Sequence, residues 1–202
     1  MDSPTEKPAP TRDRILQAAS VLLRRQGYDG TGVKQIARDA EATLGSLYHF
    51  FPDGKEQLAA EALRGDAEHY ADLLRNGMAA SADPADGIAA FAHLLADELR
   101  TCDWWASCLA SAAALEQVGR QSLLQQGYAE AQDTWRDIIA DRLRAAGVAD
   151  APADDAACFA LSALEGAEVQ SRATRNDSPL RSAATHLAAL FAALPREGAA
   201  DQ

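Results

Sequence analysis

Along almost the whole chain, apolar residues recur three and four positions apart, and the alternation of β-branched residues that marks strands is absent. Such a chain folds by packing the apolar stripes of helices against one another, so the expected class is all-α, with about nine helices. Glycine, proline and capping residues punctuate the pattern. Residues 1–10 carry three prolines and no periodicity and read as a flexible arm. The spacing predicts a first helix with Thr11 as its N-cap, Asp13 favourably placed against its dipole and Ile15, Ala18, Ala19, Leu22 and Leu23 as its buried stripe. Gly27 closes it, with Tyr28 as an apolar anchor. Further on, Asp53-Gly54-Lys55-Glu56 fits a capping box in which Glu56 reaches back, opening a long helix that runs to the Asn76-Gly77 region. Asp83-Pro84 opens the next helix, Asp103 the one after it, and a long segment from Arg120 to Ala146 is stopped by Gly147, with Gly127 marking a kink. Two last helices follow Pro152 and Ser178-Pro179.

With 202 residues, 48% of them hydrophobic, the chain can bury a core. A net charge of -11 argues at first sight against a nucleic-acid partner, because phosphate binding needs clustered cations. The local balance differs. Residues 1–60 hold eight cations and eight acids, so the whole excess belongs to the remainder, and Lys7, Lys34 and Lys55 all lie in the neutral head. No stretch approaches the roughly 20 apolar residues of a membrane-spanning helix, and MDSPTEKPAP lacks the apolar region of a secretory signal; a cytoplasmic protein with no membrane partner is expected. Cys102, Cys108 and Cys158 lack CxxC spacing and read as free thiols. His49, His69, His93 and His186 show no metal-ligand spacing, and neither a Gly-rich phosphate loop nor a nucleophile motif occurs. Neither an enzyme, a metal site nor a cofactor is expected.

Residues 33–50 (VKQIARDAEATLGSLYHF) are the informative stretch. Ile36, Ala37 and Ala40 mark the inner face of one short helix, a turn follows, and Leu47 and Phe50 mark a second. This is helix-turn-helix spacing, with Ile36, Ala40, Ala42, Leu47 and Phe50 as the wedge of core. A helical hairpin inside a larger bundle has the same spacing. The turn needs a residue at positive φ, where glycine is usual, and the chain has Glu41, at a cost of about 1 kcal/mol.

The passage TLGSLYHFFPDGKEQL, preceded by Gly27-Tyr28 and Thr31-Gly32-Val33, resembles the DNA-binding domain of the TetR family of bacterial repressors, most of all its LmrA/YxaF branch with an extra residue before the lysine. The likeness continues in Ser107-Cys108, Leu164-Glu165-Gly166-Ala167 and RATRNDSPL. It implies a three-helix DNA-binding domain over 11–54, a helical ligand-binding and dimerisation domain over 55–196 and a tail over 197–202. Thr43, Leu44, Gly45, Tyr48 and His49 would face the groove, and Thr31, Lys34 and Lys55 would hold phosphates. Leu44 departs from the Lys or Arg usual among relatives and cannot read guanine, though it can touch a thymine methyl. The implied partners are a double-stranded DNA operator, a second copy of the chain and a small-molecule effector.

In the acidic body, small residues in the penultimate helix (Ala160, Ala163, Gly166, Ala167) and the stripe Leu187, Leu190, Phe191 and Leu194 in the last form the expected dimer interface, an internal core being the other reading. Phe91, Leu95, Trp104, Trp105, Cys108, Tyr128 and Trp135, with Glu165, form the expected effector pocket, although core packing explains any one of the aromatics as well and exposed helix surface is the other reading of Glu165. The expected mechanism is repression relieved by a hydrophobic small molecule. Its alternatives are a regulator switched through the thiols of Cys102 and Cys108, and a helical small-molecule-binding protein without a DNA function.

Overall fold

The structure, a computed structural model, describes residues 9–105, 109, 116 and 122–196. Eight helices occur among them: α1 (Thr11–Gly30), α2 (Val33–Asp39), α3 (Leu44–Phe50), α4 (Lys55–Ala79), α5 (Pro84–Thr101), α6 (Leu123–Ala145), α7 (Asp150–Thr174) and α8 (Ser178–Ala193). The described residues contain no strand, only an isolated antiparallel bridge between Val148 and Arg196. The expected all-α architecture is what is found. By contact the chain divides into two compact units, Met1–Asp66 with Cys108–Tyr128, and Ala67–Ser107 with Ala129–Gln202. The first is larger than the expected head of residues 11–54.

In the first unit, Ile15, Ala19, Leu22 and Leu23 of α1 are buried together with Ile36, Ala37, Leu47, Leu58 and Leu63. Helix geometry breaks at Gly27 (φ 75°, ψ -179°), and a short turn through Gly30 completes α1. The first helix starts at Thr11 with Pro10 in the capping position and no side-chain cap. Ion pairs Arg12–Glu61 and Arg24–Asp66 tie α1 to α4, and the buried Asp66 also accepts the backbone N–H of Leu109 at 2.8 Å. The capping box is read differently by the fold: Gln57, not Glu56, reaches back to the Asp53 N–H (3.2 Å). Glu56 is drawn away because its Oε1 accepts the Leu123 N–H at the start of α6 (3.2 Å). The inner aromatic is Phe51 rather than Phe50; the chain leaves helical geometry at Phe51 and turns its ring into the core, under the Arg12 guanidinium.

In the second unit α5 packs most extensively on α8, and α7 also rests on α8. Asp83 caps α5 by accepting the Ala85 N–H (3.1 Å), followed by Pro84 in the first turn. Gly77 does not end α4. It lies where a Cβ would come within 2.5 Å of Phe91 Cβ, so glycine here permits close approach of α4 and α5. Arg142 donates to the carbonyls of Met78 (3.2 Å), Ser81 (2.6 Å) and Ala82 (3.0 Å), satisfying acceptors that the end of a helix leaves without partners. Asp103 is not the start of the expected helix, of which Leu109 is helical and most of the remainder lies outside the described residues. It closes α5: the Asp103 and Trp104 N–H groups return to Arg100 O (3.1 Å) and Leu99 O (2.8 Å), which places both residues at positive φ.

Candidate nucleic-acid interface

Helix α2, the turn and α3 form a backbone-closed unit. Ala42 N–H donates to Ala37 O (2.9 Å) and Glu41 N–H to Arg38 O (3.0 Å), the paired bonds that end a helix through one left-handed residue. Glu41 is that residue, with φ 50°. Arg14 of α1 grips the same turn, donating from Nε to Ala40 O (3.1 Å) and from Nη2 to Glu41 O (3.4 Å). Thr43 then caps α3, its Oγ1 accepting the Ser46 N–H at 3.0 Å. Leu47 is completely buried, which locks the rear of α3 against α1 and α2.

The opposite face of α3 is open. Thr43, Leu44, Gly45, Tyr48 and His49 are all exposed, Leu44 by 37% and Tyr48 by 48%. Thr43 has a cap to make in addition to any groove contact. The Tyr48 ring lies against Gly54, where a Cβ would stand 3.3 Å from Cε1. His49 meets Phe50 edge-on at 5.0 Å between ring centroids. The short turn and the buried Leu47 thus bring these five candidates onto one surface.

The residues expected to hold phosphates divide. Lys34 is exposed in the first turn of α2, and Lys55 is partly exposed at the start of α4. Its Nζ lies 4.1 Å from the centroid of the Tyr28 ring, a cation–π distance that restrains an otherwise mobile ammonium group. Thr31 is misplaced in the sequence reading. It is 1% exposed and its hydroxyl donates inward to Gly27 O at 2.7 Å. The hydroxyl thus gives the carbonyl at the helical break a donor.

Arg14 and Tyr28 are the residues that sequence reasoning missed. The positive φ expected at Glu41 implied that something must hold the turn, but the donor lies 27 residues away and spacing does not reveal it. Tyr28 was read as an apolar anchor; its role as a platform for Lys55 depends on the chain path between them.

The expected effector residues have different surroundings. Phe91 and Trp135 are buried with Tyr70 in an aromatic cluster, Tyr70 being 5.3 Å from Phe91 and 4.4 Å from Trp135 between centroids. Trp135 Nε1 donates to Ala67 O (3.0 Å), and Leu95 is buried as well. Trp104 and Trp105 are half-buried, and the Trp105 carbonyl accepts from Arg172 at 3.4 Å. Glu165 is half-buried and accepts from Gln132 Nε2 at 2.5 Å. Tyr128 belongs to the first unit, and Cys108 lies outside the described residues. Cys102 is half-buried with its thiol directed to Leu99 O (3.3 Å), whereas Cys158 is exposed.

The expected dimer residues also divide. Leu187, Phe191 and Ala167 are buried within the second unit, because α8 spends its apolar stripe on α5 and α7. Gly166 is exposed and Ala163, Leu190 and Leu194 are half-buried. Phe159 and Val169 of α7, by contrast, are 58% and 59% exposed. Among the described residues no cluster of metal-ligating side chains occurs and no helix is long and apolar enough to cross a membrane.

Residues 15–62 match the family described as bacterial regulatory proteins, tetR family, and residues 84–186 match the LmrA/YxaF-like transcriptional regulator C-terminal domain. The HTH-type transcriptional regulator LmrA of Bacillus subtilis is 34% identical over 84% of this chain and 90% of its own length. The HTH-type transcriptional regulator YxaF of the same species is 31% identical over 84% and 89%. The crystal structure of regulatory protein TetR from Rhodobacter sphaeroides has the same fold, with a TM-score of 0.80 at 20% identity over 90% of this chain and 99% of that one.

Proposed function

This chain belongs to the TetR family of bacterial transcriptional regulators, with an LmrA/YxaF-like C-terminal domain, and from that premise we propose that it is a dimeric repressor released from a palindromic operator by a hydrophobic small molecule. The observation that carries the DNA-binding part is the open face of α3. Thr43, Leu44, Gly45, Tyr48 and His49 stand on a helix whose rear is locked by Leu47, which is what insertion into a major groove requires. Lys34 and the Tyr28-seated Lys55 flank it as phosphate contacts. In this reading Thr31 acts on the protein's own backbone. Such a regulator works in the cytoplasm, where its operator is.

A single helix-turn-helix reads one half-site, so selective binding calls for a second copy. The supporting surface is a face of α7. Phe159, Ser162, Gly166 and Val169 follow at intervals of three and four and are all exposed, with Ala163 beside them and Leu190 and Leu194 of α8 part-exposed. The effector reading belongs to the second unit, where Trp104 and Trp105 are half-buried and the Gln132–Glu165 pair adds a polar contact. Release requires the effector to bind the DNA-incompetent state more tightly, since equal affinity for both states shifts nothing.

The test is titration of the full chain with duplexes tiling the region upstream of its gene, at several salt concentrations. A palindromic duplex bound as a dimer, with affinity falling steeply as salt rises, supports the reading. Absence of binding across the whole region refutes it. Trp104, Trp105 and Trp135 all lie in the second unit, so a releasing compound should quench their fluorescence at the concentrations that dissociate the DNA.

A further inference from the structure

The end of α1 is held from far along the chain. Helical geometry breaks at Gly27, immediately before Tyr28 and Asp29. Their backbone N–H groups both donate to one atom, Oε2 of Glu116, at 2.6 and 3.0 Å across 88 and 87 residues of sequence. A carboxylate accepting two backbone N–H groups makes charge-assisted bonds, stronger than neutral ones. A Cβ at Gly27 would overlap that carboxylate, so the glycine and the glutamate fit together as a pair. The turn held in this way carries the Tyr28 ring under the Lys55 ammonium, 4.1 Å from its centroid, and leads into Thr31 and the first turn of α2 with Lys34.

We propose that Glu116 is a positioning residue for operator binding, its carboxylate fixing the Tyr28–Asp29 backbone so that Tyr28 presents Lys55 to a DNA phosphate. The inference rests on the DNA-binding reading above. It adds to the DNA-binding machinery a side chain from the segment following α5. Glu116 is solvent-exposed, so its bonds are not what keeps the core folded. In the absence of its carboxylate the two N–H groups return to water, Tyr28 loses its fixed backbone and Lys55 its platform.

The sign of the effect separates this role from plain electrostatics. Removing a negative charge close to a DNA-binding surface strengthens binding if charge is all that matters, whereas loss of positioning weakens it. Operator affinity of the full dimer should be measured against salt for the wild type, E116A, E116Q, K55A and the double variant E116A/K55A, with urea midpoints alongside. E116A should bind about tenfold more weakly, the order expected when one phosphate contact is no longer held in place. Its slope of log affinity against log salt should shrink by about 0.9, the equivalent of one phosphate contact. K55A and the double variant should share that reduced slope. E116Q retains a side-chain oxygen able to accept both N–H groups and should bind like the wild type. Urea midpoints should be unchanged. Tighter binding by both E116A and E116Q, an unchanged slope in E116A, or a lowered midpoint with unaltered affinity would each overturn the proposal. A wild type that binds no duplex overturns the operator reading itself, whereas wild-type binding matched by E116A overturns this inference alone.

Discussion

Replacing Glu41 by glycine and, separately, by alanine isolates the conformational cost built into the helix-turn-helix. Glu41 stands at φ 50°, and the bonds that close the turn are made by backbone atoms: its own N–H to Arg38 O, Ala42 N–H to Ala37 O, and its carbonyl from Arg14. Either substitution therefore leaves these bonds in place and removes the same charge. A side chain in the left-handed region costs about 1–2 kcal/mol. Glycine relieves that cost but gives back about 0.4–1 kcal/mol through the greater freedom of its unfolded chain. The glycine variant should therefore be more stable than the alanine variant by about 0.5–1 kcal/mol. For a chain of this size the difference corresponds to about 1–4 °C in melting temperature. Urea unfolding at one fixed protein concentration measures it, with equal slopes showing that the denatured states are comparable. Because both variants lose one carboxylate near the interface, any gain in nonspecific DNA affinity should be equal in the two. An alanine variant as stable as the glycine variant, or more so, would refute the reasoning, since the turn would then not hold a left-handed residue in solution.

Gly77→Ala should lower stability by about 1–3 kcal/mol at an unchanged urea slope, because the added Cβ meets Phe91 backbone as well as its side chain. The Asp83 carboxyl is held below its ordinary value of 3.8, chiefly by the Ala85 N–H and further by Arg196. Its folded-state pKa being the lower one, the cap is fully effective above the ordinary value and is lost as pH falls through the depressed one. The stability difference between wild type and Asp83→Ala should accordingly be constant near neutrality and narrow below about pH 4 in a series of melts. Thr31→Val should cost about 1 kcal/mol in unfolding experiments while leaving the salt slope of operator binding intact, and Lys34→Ala should do the reverse, reducing that slope by about 0.9. A reduced slope in the valine variant would restore Thr31 as a phosphate contact.

The resemblance seen in TLGSLYHFFPDGKEQL extended to the family and branch that comparison establishes, because the helix-turn-helix is a local device. Its turn length, its cap at Thr43 and the spacing from Ile36 to Leu47 are written within 18 residues. The exposed face of α3 was legible for the same reason: on a short helix, knowing that Leu47 is inside places Leu44, Tyr48 and His49 outside. Thr31 was not legible. A threonine preceding a helix caps it, meets a phosphate or satisfies a neighbour, and only the folded position of the Gly27 carbonyl selects the last. Net charge was the least informative feature, since an average over 202 residues conceals a neutral head.

What the sequence determined by itself, then, was the helical period, most of the stops and caps, and the identity of the DNA-binding element, all set by interactions within a few residues. Tertiary structure decided which apolar stripes meet inside the chain and which stay open. Leu187 and Phe191 became core because α8 lies along α5, leaving Phe159 and Val169 exposed on α7. It also chose the partners of polar groups: Gln57 rather than Glu56 for Asp53, Arg14 for the turn, Glu116 for Tyr28 and Asp29. The physical reason is one of range. Helical periodicity and capping depend on neighbours in sequence, whereas an amphipathic stripe fits any complementary surface and a backbone N–H donates to any correctly placed oxygen, so the choice falls to whatever the rest of the chain brings within about 3 Å.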